Sequence, residues 1–157
     1  MSDDQVLSKE QILQMVVQLF NEGVPFNRHL GLEVAYLDEE QVIVKVNKKP
    51  ELVGNIFFDI LHGGVAATVL DTAGGLVAIA SAVSRLGDTS AEMLQKRLQR
   101  TGTVDMRIDY LRPGRGNEFT ATARVVRHGR QVAVTRMEMH NESGEEIALG
   151  TATYMVG

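Results

Sequence analysis

The sequence contains no cysteine among its 157 residues. This absence excludes a disulfide framework, a thiol nucleophile and any thiolate-ligated zinc or iron–sulfur site. Tryptophan is also absent, and only three Tyr and five Phe are present. The aromatic residues do not alternate with basic ones, so the stacking surface of a single-stranded nucleic-acid-binding protein is not predicted.

No charge of one sign dominates the chain. Sixteen Lys and Arg oppose 20 Asp and Glu, for a net charge of −4, so neither nucleic acid nor an anionic membrane is expected as a partner. The length and the 44% apolar content predict one globular domain over residues 1–157. Residues 1–5 lack the basic and apolar regions of a secretory signal, which favours a cytoplasmic protein.

The one long apolar stretch, residues 65–83, is rich in Ala and Gly and carries Asp71 near its middle. An acidic residue at the centre of a bilayer costs about 2.5–3.5 kcal/mol, which so weakly hydrophobic a segment would not offset. We therefore predict a buried core helix over residues 64–84 and not a membrane span.

Periodicity predicts the other elements. Residues Ser8 to Gln11 have the form of a capping box, which indicates an N-terminal helix over 8–22. Strand-like runs over 32–37 and 41–46 predict a hairpin. From Val104 onward the period is two, which predicts four more strands, each with one buried face. This order is typical of an α+β fold in which a six-stranded antiparallel sheet curls around the central helix.

Two connecting segments have no clear period. Residues 48–61 are predicted to form a loop, because they contain Pro50, Gly54 and Asn55 without a sustained pattern. Residues 86–100 are predicted to be a more polar stretch, helical or irregular.

His62, Gly63 and Gly64 lie where the loop becomes the central helix. A helix N-terminus carries about half a positive charge, and adjacent glycines leave its N–H groups open, so this segment could polarise a carbonyl group. The glycines could instead serve only a tight turn and close packing. His62 could assist at a leaving group, orient the loop, or cap the helix.

Asp71 lies in a helix otherwise built of small and apolar residues, with no Lys or Arg within a helical turn. A buried carboxylate needs hydrogen-bond partners or a proton, so Asp71 is our first catalytic candidate; pairing with a distant Arg or with another segment's N–H groups is the alternative. Gly63 and Asp71 are separated by about 12 Å of helix rise. If both act on one carbonyl, two chains must share each site, as in a symmetric dimer.

Other polar residues give weaker signals. Asn55 could donate to a carbonyl or hold a water molecule, or serve only the turn that it forms with Gly54. Basic residues exceed acidic ones by seven between Lys96 and Arg136. This excess includes Arg112, Arg115 and Arg130 on glycine-containing connections, which could bind phosphates or could belong to a solvated strand face. The spacing of the remaining histidines predicts no metal site.

The combination of His62-Gly63-Gly64-Val65, Asp71 and the run TVDMRIDYLRP over residues 103–113 resembles the PaaI-type hotdog-fold acyl-CoA thioesterases. Residues 25–28, 53–55 and 151–157 bring the likeness closer to the YigI-like bacterial branch of that family. The resemblance covers nearly the whole chain. It implies a long helix wrapped by an antiparallel sheet, in dimers or dimers of dimers.

The resemblance also implies roles for single residues. It matches Asp71 to the family's catalytic carboxylate, which lies across the dimer interface from the Gly63 N–H that polarises the thioester carbonyl. It places His62 and Gly64 beside that group, Asn55 where it orients the nucleophile or substrate, and Thr103 in the lining of the site.

The function expected from this likeness is hydrolysis of an acyl-CoA by Asp71, acting as general base or nucleophile, without cofactor or metal. Coenzyme A would lie over the Arg-rich strand ends. The acyl group, preferably fatty although aryl groups remain open, would run along Gly74, Gly75 and Ala78. A non-catalytic acyl-CoA-binding hotdog protein and a hotdog hydratase or dehydratase are the alternatives.

Overall fold

A computed structural model describes residues 6–157; residues 1–5, on which the expectation of a cytoplasmic location depends, lie outside the described part. The described strands are β1 Val6–Leu7, β2 Leu32–Leu37, β3 Gln41–Asn47, β4 Val53–Asn55, β5 Ile60–Leu61, β6 Thr89–Ser90, β7 Thr101–Tyr110, β8 Glu118–His128, β9 Val132–Asn141 and β10 Glu146–Val156. The described α-helices are α1 Lys9–Gln18, α2 Pro25–Leu30, α3 Gly63–Ser84 and α4 Ala91–Leu98.

Six of the strands form one antiparallel sheet in the order β2-β3-β8-β9-β10-β7. The sheet curls around α3, which packs against β3, β8, β9 and β10. The predicted α+β hotdog architecture is therefore confirmed.

The central helix is buried because nearly every face of it is apolar. Val69, Leu70, Leu76 and Val77 are fully buried against the inner side of the sheet. By length and composition α3 could cross a membrane, but 67% of its most apolar window is buried inside the fold. This helix is thus the hydrophobic core of the domain, as its all-round apolar pattern predicted.

The N-terminal helix begins at the predicted cap. Gln11 N–H donates to Ser8 Oγ over 3.3 Å, and Ser8 N–H donates to Gln11 Oε1 over 2.8 Å, which completes the capping box. A wider π-helical turn, Leu19–Gly23, continues α1 to about its predicted end. The turn is anchored because Val34 N–H donates to Asn21 Oδ1 over 2.8 Å. This turn also carries Phe20 toward α3.

Two segments differ from the sequence prediction. Residues 48–61 are not all loop, because β4 and β5 pair there as a small antiparallel hairpin. Strand β7 does not have one buried face in the single chain: Val104 and Tyr110 are 57% and 56% exposed. The physical reason is position, since among the described residues β7 pairs only with β10 and forms an edge of the sheet.

Candidate active site

The first part of the site is the N-terminus of α3. His62 has extended backbone angles, and its Nδ1 accepts the Gly64 N–H over 2.8 Å. His62 therefore caps the helix, which is one of the roles left open by the sequence. Within residues 6–157 the Gly63 N–H has no protein acceptor, so this donor remains available at the positive end of the helix.

Tyr110, which sequence reasoning did not single out, covers this helix end. Its hydroxyl donates to the Gly63 carbonyl over 3.0 Å. A Cβ atom at position 63 would lie 3.3 Å from the tyrosine ring. A cavity of about 370 Å³ opens here, lined in part by Gly63, Ala66, Tyr110, Arg112 and Ile147. The signal available in the sequence was the placement of Tyr110 within the 103–113 run.

The second part of the site surrounds Asp71. Its Oδ1 accepts the Thr103 hydroxyl over 2.9 Å, and the Tyr154 hydroxyl lies 3.1 Å from the same oxygen and 3.0 Å from the Asp71 carbonyl. Asp71 is half-buried and forms no ion pair with a described Lys or Arg. Neutral hydroxyl groups, and not a distant arginine, therefore hold this carboxylate in place.

Tyr154 is nearly fully buried beside Asp71. Burial raises the pKa of the Tyr154 hydroxyl far above its ordinary value, because the phenolate would lose its hydration, and the negative charge of Asp71 raises it further. The hydroxyl therefore stays protonated and donates. A Cβ atom at Gly74 would lie only 2.5 Å from the Tyr154 oxygen, so a glycine is required for this close approach.

A cavity of about 180 Å³ adjoins the carboxylate. Its lining is mostly apolar and includes Phe20, Gly75, Ala78, Ile79 and Met155. Gly75 and Ala78, two of the three residues expected along the acyl group, line this cavity. Gly74, expected beside them, instead packs beneath Tyr154.

One chain does not bring the two parts together. Tyr154 on β10 pairs with Thr103 near the start of β7, whereas Ala148 pairs with Tyr110 at its end. The Asp71 and Gly63 groups therefore lie at opposite ends of the same edge strand, in agreement with their separation along α3.

Asn55 serves the local turn. Its Oδ1 accepts the Phe57 N–H over 3.0 Å, and its carbonyl accepts the Phe58 N–H over 3.3 Å. Asn55 ends β4, in the hairpin that leads into His62. In this structure its side-chain oxygen is engaged by the turn.

The three candidate arginines do not form one cluster. Arg112 donates to the Glu146 carbonyl over 2.8 Å and lines the Gly63 cavity. The guanidinium carbon of Arg115 lies over the Phe58 ring, 5.9 Å from the ring centre. Arg130 lies in the turn between β8 and β9, at the Tyr154 end of the sheet, since Ala133 pairs with Tyr154.

In the described part of the chain, one side-chain group outside these cavities could hold a metal ion. Ligand atoms of Glu138, His140 and Glu146 all lie within 4.8 Å of one another. Glu138 faces away from α3, because its neighbours Met137 and Met139 are fully buried. Sequence spacing could not reveal this group, because it joins two strands.

The expected family is confirmed by comparison with known proteins. Residues 58–148 match the family model of the thioesterase superfamily. The medium/long-chain acyl-CoA thioesterase YigI of Salmonella typhimurium is 50% identical over 152 residues, covering 97% of this chain and 98% of that protein. The Escherichia coli acyl-coenzyme A thioesterase PaaI is 28% identical and covers 76% of this chain and 74% of that protein.

Solved structures agree with the sequence comparison. A crystal structure of a Shewanella oneidensis protein related to the thioesterase superfamily has a TM-score of 0.91 and 54% identity, covering 95% of this chain and 97% of that chain. The match in sequence and in fold extends over nearly the entire chain. This chain therefore belongs to the thioesterase superfamily and is a thioester hydrolase with the hotdog fold.

Proposed function

We propose that this enzyme hydrolyses acyl-CoA thioesters to a free acid and coenzyme A. The observation that carries the proposal is the pair of complementary half-sites. One is a carboxylate held by two hydroxyl groups beside an apolar cavity, and the other is a Gly63 N–H at a helix N-terminus that has no acceptor among residues 6–157. Relatives that are 49–50% identical are named medium/long-chain acyl-CoA thioesterases, which supports medium or long fatty acyl groups as the substrate class.

The working unit in this proposal is a symmetric homodimer, alone or within a dimer of dimers. An edge strand with exposed apolar side chains needs cover, and β7 presents Val104 and Tyr110. Antiparallel pairing of β7 with β7 of a second copy places the Thr101 end of one strand against the Tyr110 end of the other. Such pairing moves Gly63 of one copy toward Asp71 of the other.

The chemistry then needs both copies. The carbonyl oxygen accepts the Gly63 N–H of one copy, where the helix dipole favours the developing negative charge. Asp71 of the other copy accepts a proton from a water molecule that attacks the carbonyl carbon, or attacks that carbon itself. The carbon–sulfur bond breaks, and the coenzyme A thiolate leaves and takes up a proton. When Asp71 attacks directly, the acyl group stays on its carboxylate as a mixed anhydride, and a water molecule then hydrolyses this anhydride to the free acid and restores Asp71. Thr103 and Tyr154 orient the carboxylate.

The other sequence candidates support this arrangement. Gly64 and His62 hold the helix start through their hydrogen bond, Asn55 shapes the turn before it, and Tyr110 fixes the Gly63 peptide. The acyl chain lies along the apolar cavity beside Asp71. The phosphates of coenzyme A lie over Arg112, Arg115 or Arg130. We place the enzyme in the cytoplasm, with residues 1–157 acting as one domain.

A thiol-release assay on butanoyl-, octanoyl-, palmitoyl- and benzoyl-CoA tests the proposal. We expect release of free coenzyme A, fastest with the medium or long chains. Binding of acyl-CoA without thiol release would instead support a non-catalytic acyl-CoA-binding protein. Hydration of an enoyl-CoA without thiol release would support a hydratase.

A further inference from the structure

Three consecutive apolar residues project from the β4–β5 hairpin. Ile56, Phe57 and Phe58 are 81%, 88% and 60% exposed. Single exposed apolar side chains are ordinary on a soluble protein, but three in one loop form a contiguous patch that indicates a contact.

This loop, residues 56–58, is held in one outward conformation. Lys48 Nζ donates to the Asp59 carboxylate over 2.7 Å and to the Asp59 backbone carbonyl over 2.9 Å. The Asn55 side chain closes the turn onto Phe57, and Arg115 lies over Phe58. Because both flanks are fixed, the apolar side chains are presented to an external surface and are not folded back onto their own chain.

The position of the loop identifies that surface. Only four residues, Asp59 to His62, separate the loop from Gly63. A second copy that brings its Gly63 to the Asp71 group must also bring this loop close to the cavity beside Asp71. That cavity is lined by apolar groups such as Phe20, Ala78 and Ile79, so the two surfaces are chemically matched.

Within one chain, the cavity beside Asp71 is also too small to enclose a medium or long acyl chain. It measures about 180 Å³, whereas binding pockets for small organic ligands measure roughly 300–1,000 Å³. A medium or long acyl chain therefore extends beyond the single-chain cavity, and its outer part needs a further apolar wall.

We propose that the 56–58 loop of one protomer forms the outer wall of the acyl pocket of its partner and sets the preference for longer acyl chains. This inference rests on the acyl-CoA thioesterase function and the dimer proposed above. Each additional methylene group buried against the loop strengthens binding, so the effect of the loop grows with chain length.

Phe57→Ala is the direct test, because the Phe57 side chain is almost fully exposed in the single chain and its removal leaves the fold intact. We expect kcat/KM for palmitoyl-CoA to fall about tenfold, and that for butanoyl-CoA to change less than about twofold. Tyr36→Ala is the matched control, since Tyr36 is 44% exposed on β2 at the opposite sheet edge from β7. The control should keep the wild-type profile.

An equal loss of kcat/KM for all chain lengths, or no loss for any, would overturn the role of the loop. Both outcomes would leave the thioesterase function standing, because the wild-type enzyme would still release thiol. Absence of thiol release by the wild-type enzyme from every acyl-CoA would instead overturn the proposed function together with this inference.

A mixed dimer shows which chain the loop serves. One Asp71→Ala copy and one Phe57→Ala copy are purified together through two different affinity tags. Asp71 is then present only in the Phe57→Ala copy. In the proposed arrangement this Asp71 faces the intact loop of the Asp71→Ala copy. We expect the wild-type chain-length preference; the preference of the Phe57→Ala homodimer would place the loop at its own chain's cavity and contradict the proposal.

Discussion

The two halves of the candidate site are built in opposite ways. Around Asp71, a side chain supplies the chemistry, and Thr103 and Tyr154 hold it at the edge of a half-buried apolar cavity. Around Gly63, the backbone supplies the chemistry, and the donor lies at an exposed helix end. One half thus supplies the carboxylate and the other supplies the free backbone donor, so a reaction that uses both groups needs both halves.

The geometry of an α-helix explains this division. In the middle of α3 every backbone N–H is used by the helix itself, so a free N–H is available only in the first turn. A carboxylate in that first turn would lie in water, away from the apolar cavity. A separation of about 12 Å along the helix leaves the N–H free and keeps the carboxylate beside the cavity. The two groups can then meet only if a second copy packs with its α3 running in the opposite direction.

Removal of the Asp71 carboxylate should have the largest effect on activity. We expect Asp71→Ala to lower kcat by about 10²–10⁴-fold, the range for loss of a general base. The fold should persist, because the Tyr154 hydroxyl can still donate to the carbonyl of residue 71. Measurement of kcat and Tm on this variant, with the exposed Asp88→Ala as control, checks both expectations. A destabilised protein with full activity per folded molecule would instead make Asp71 structural.

Removal of the Gly63 N–H should have the next largest effect. Gly63→Pro deletes this donor, and we expect kcat to fall by about 10²–10³-fold, as for one oxyanion donor. Proline suits the first helical position, and the extended conformation of His62 suits the residue before proline.

Gly63→Ala is the matched control for that experiment. Alanine keeps the N–H and places its Cβ 3.3 Å from the Tyr110 ring. We expect it to retain most of the activity. An equal loss with Ala and Pro would assign the effect to crowding of Tyr110 and not to the missing donor.

Substitutions of two adjacent glycines in α3 distinguish close packing against Tyr154 from the general effect of alanine on helix stability. Gly74→Ala should lower the free energy of unfolding by about 1–3 kcal/mol, because the new Cβ would lie 2.5 Å from the Tyr154 oxygen. Gly75→Ala meets Tyr154 only at 3.4 Å and should be neutral or stabilise by up to about 1 kcal/mol. Chemical denaturation of both variants checks the difference. Equal stability of the two would show that Tyr154 moves freely.

The arginine substitutions should have the smallest effects. We expect Arg112→Ala, Arg115→Ala or Arg130→Ala to raise KM for acyl-CoA by about threefold to tenfold with little change in kcat, as for loss of a remote phosphate contact. Steady-state kinetics of each variant measures this split. An unchanged KM in all three variants would show that these arginines do not bind coenzyme A and belong only to a solvated strand face.

The sequence predicted elements whose signals are local. The capping box at Ser8 and the all-round apolar pattern of α3 depend on neighbouring residues, and both were found in the structure. Sequence reasoning missed Tyr154, because 83 positions separate it from Asp71 and only the strand register brings them together. Period two in β7 predicted alternating faces, but it could not predict that the strand lies at a sheet edge.

The most direct test of the shared site is a mixed dimer of Asp71→Ala and Gly63→Pro copies, isolated through two different tags. Each homodimer lacks one essential group in both sites and should be nearly inactive. The mixed dimer regains one intact site, with Gly63 from one copy and Asp71 from the other, so we predict about half of the wild-type activity per dimer. A mixed dimer as inactive as its parents would contradict the account, because it would place both groups of each site on one chain.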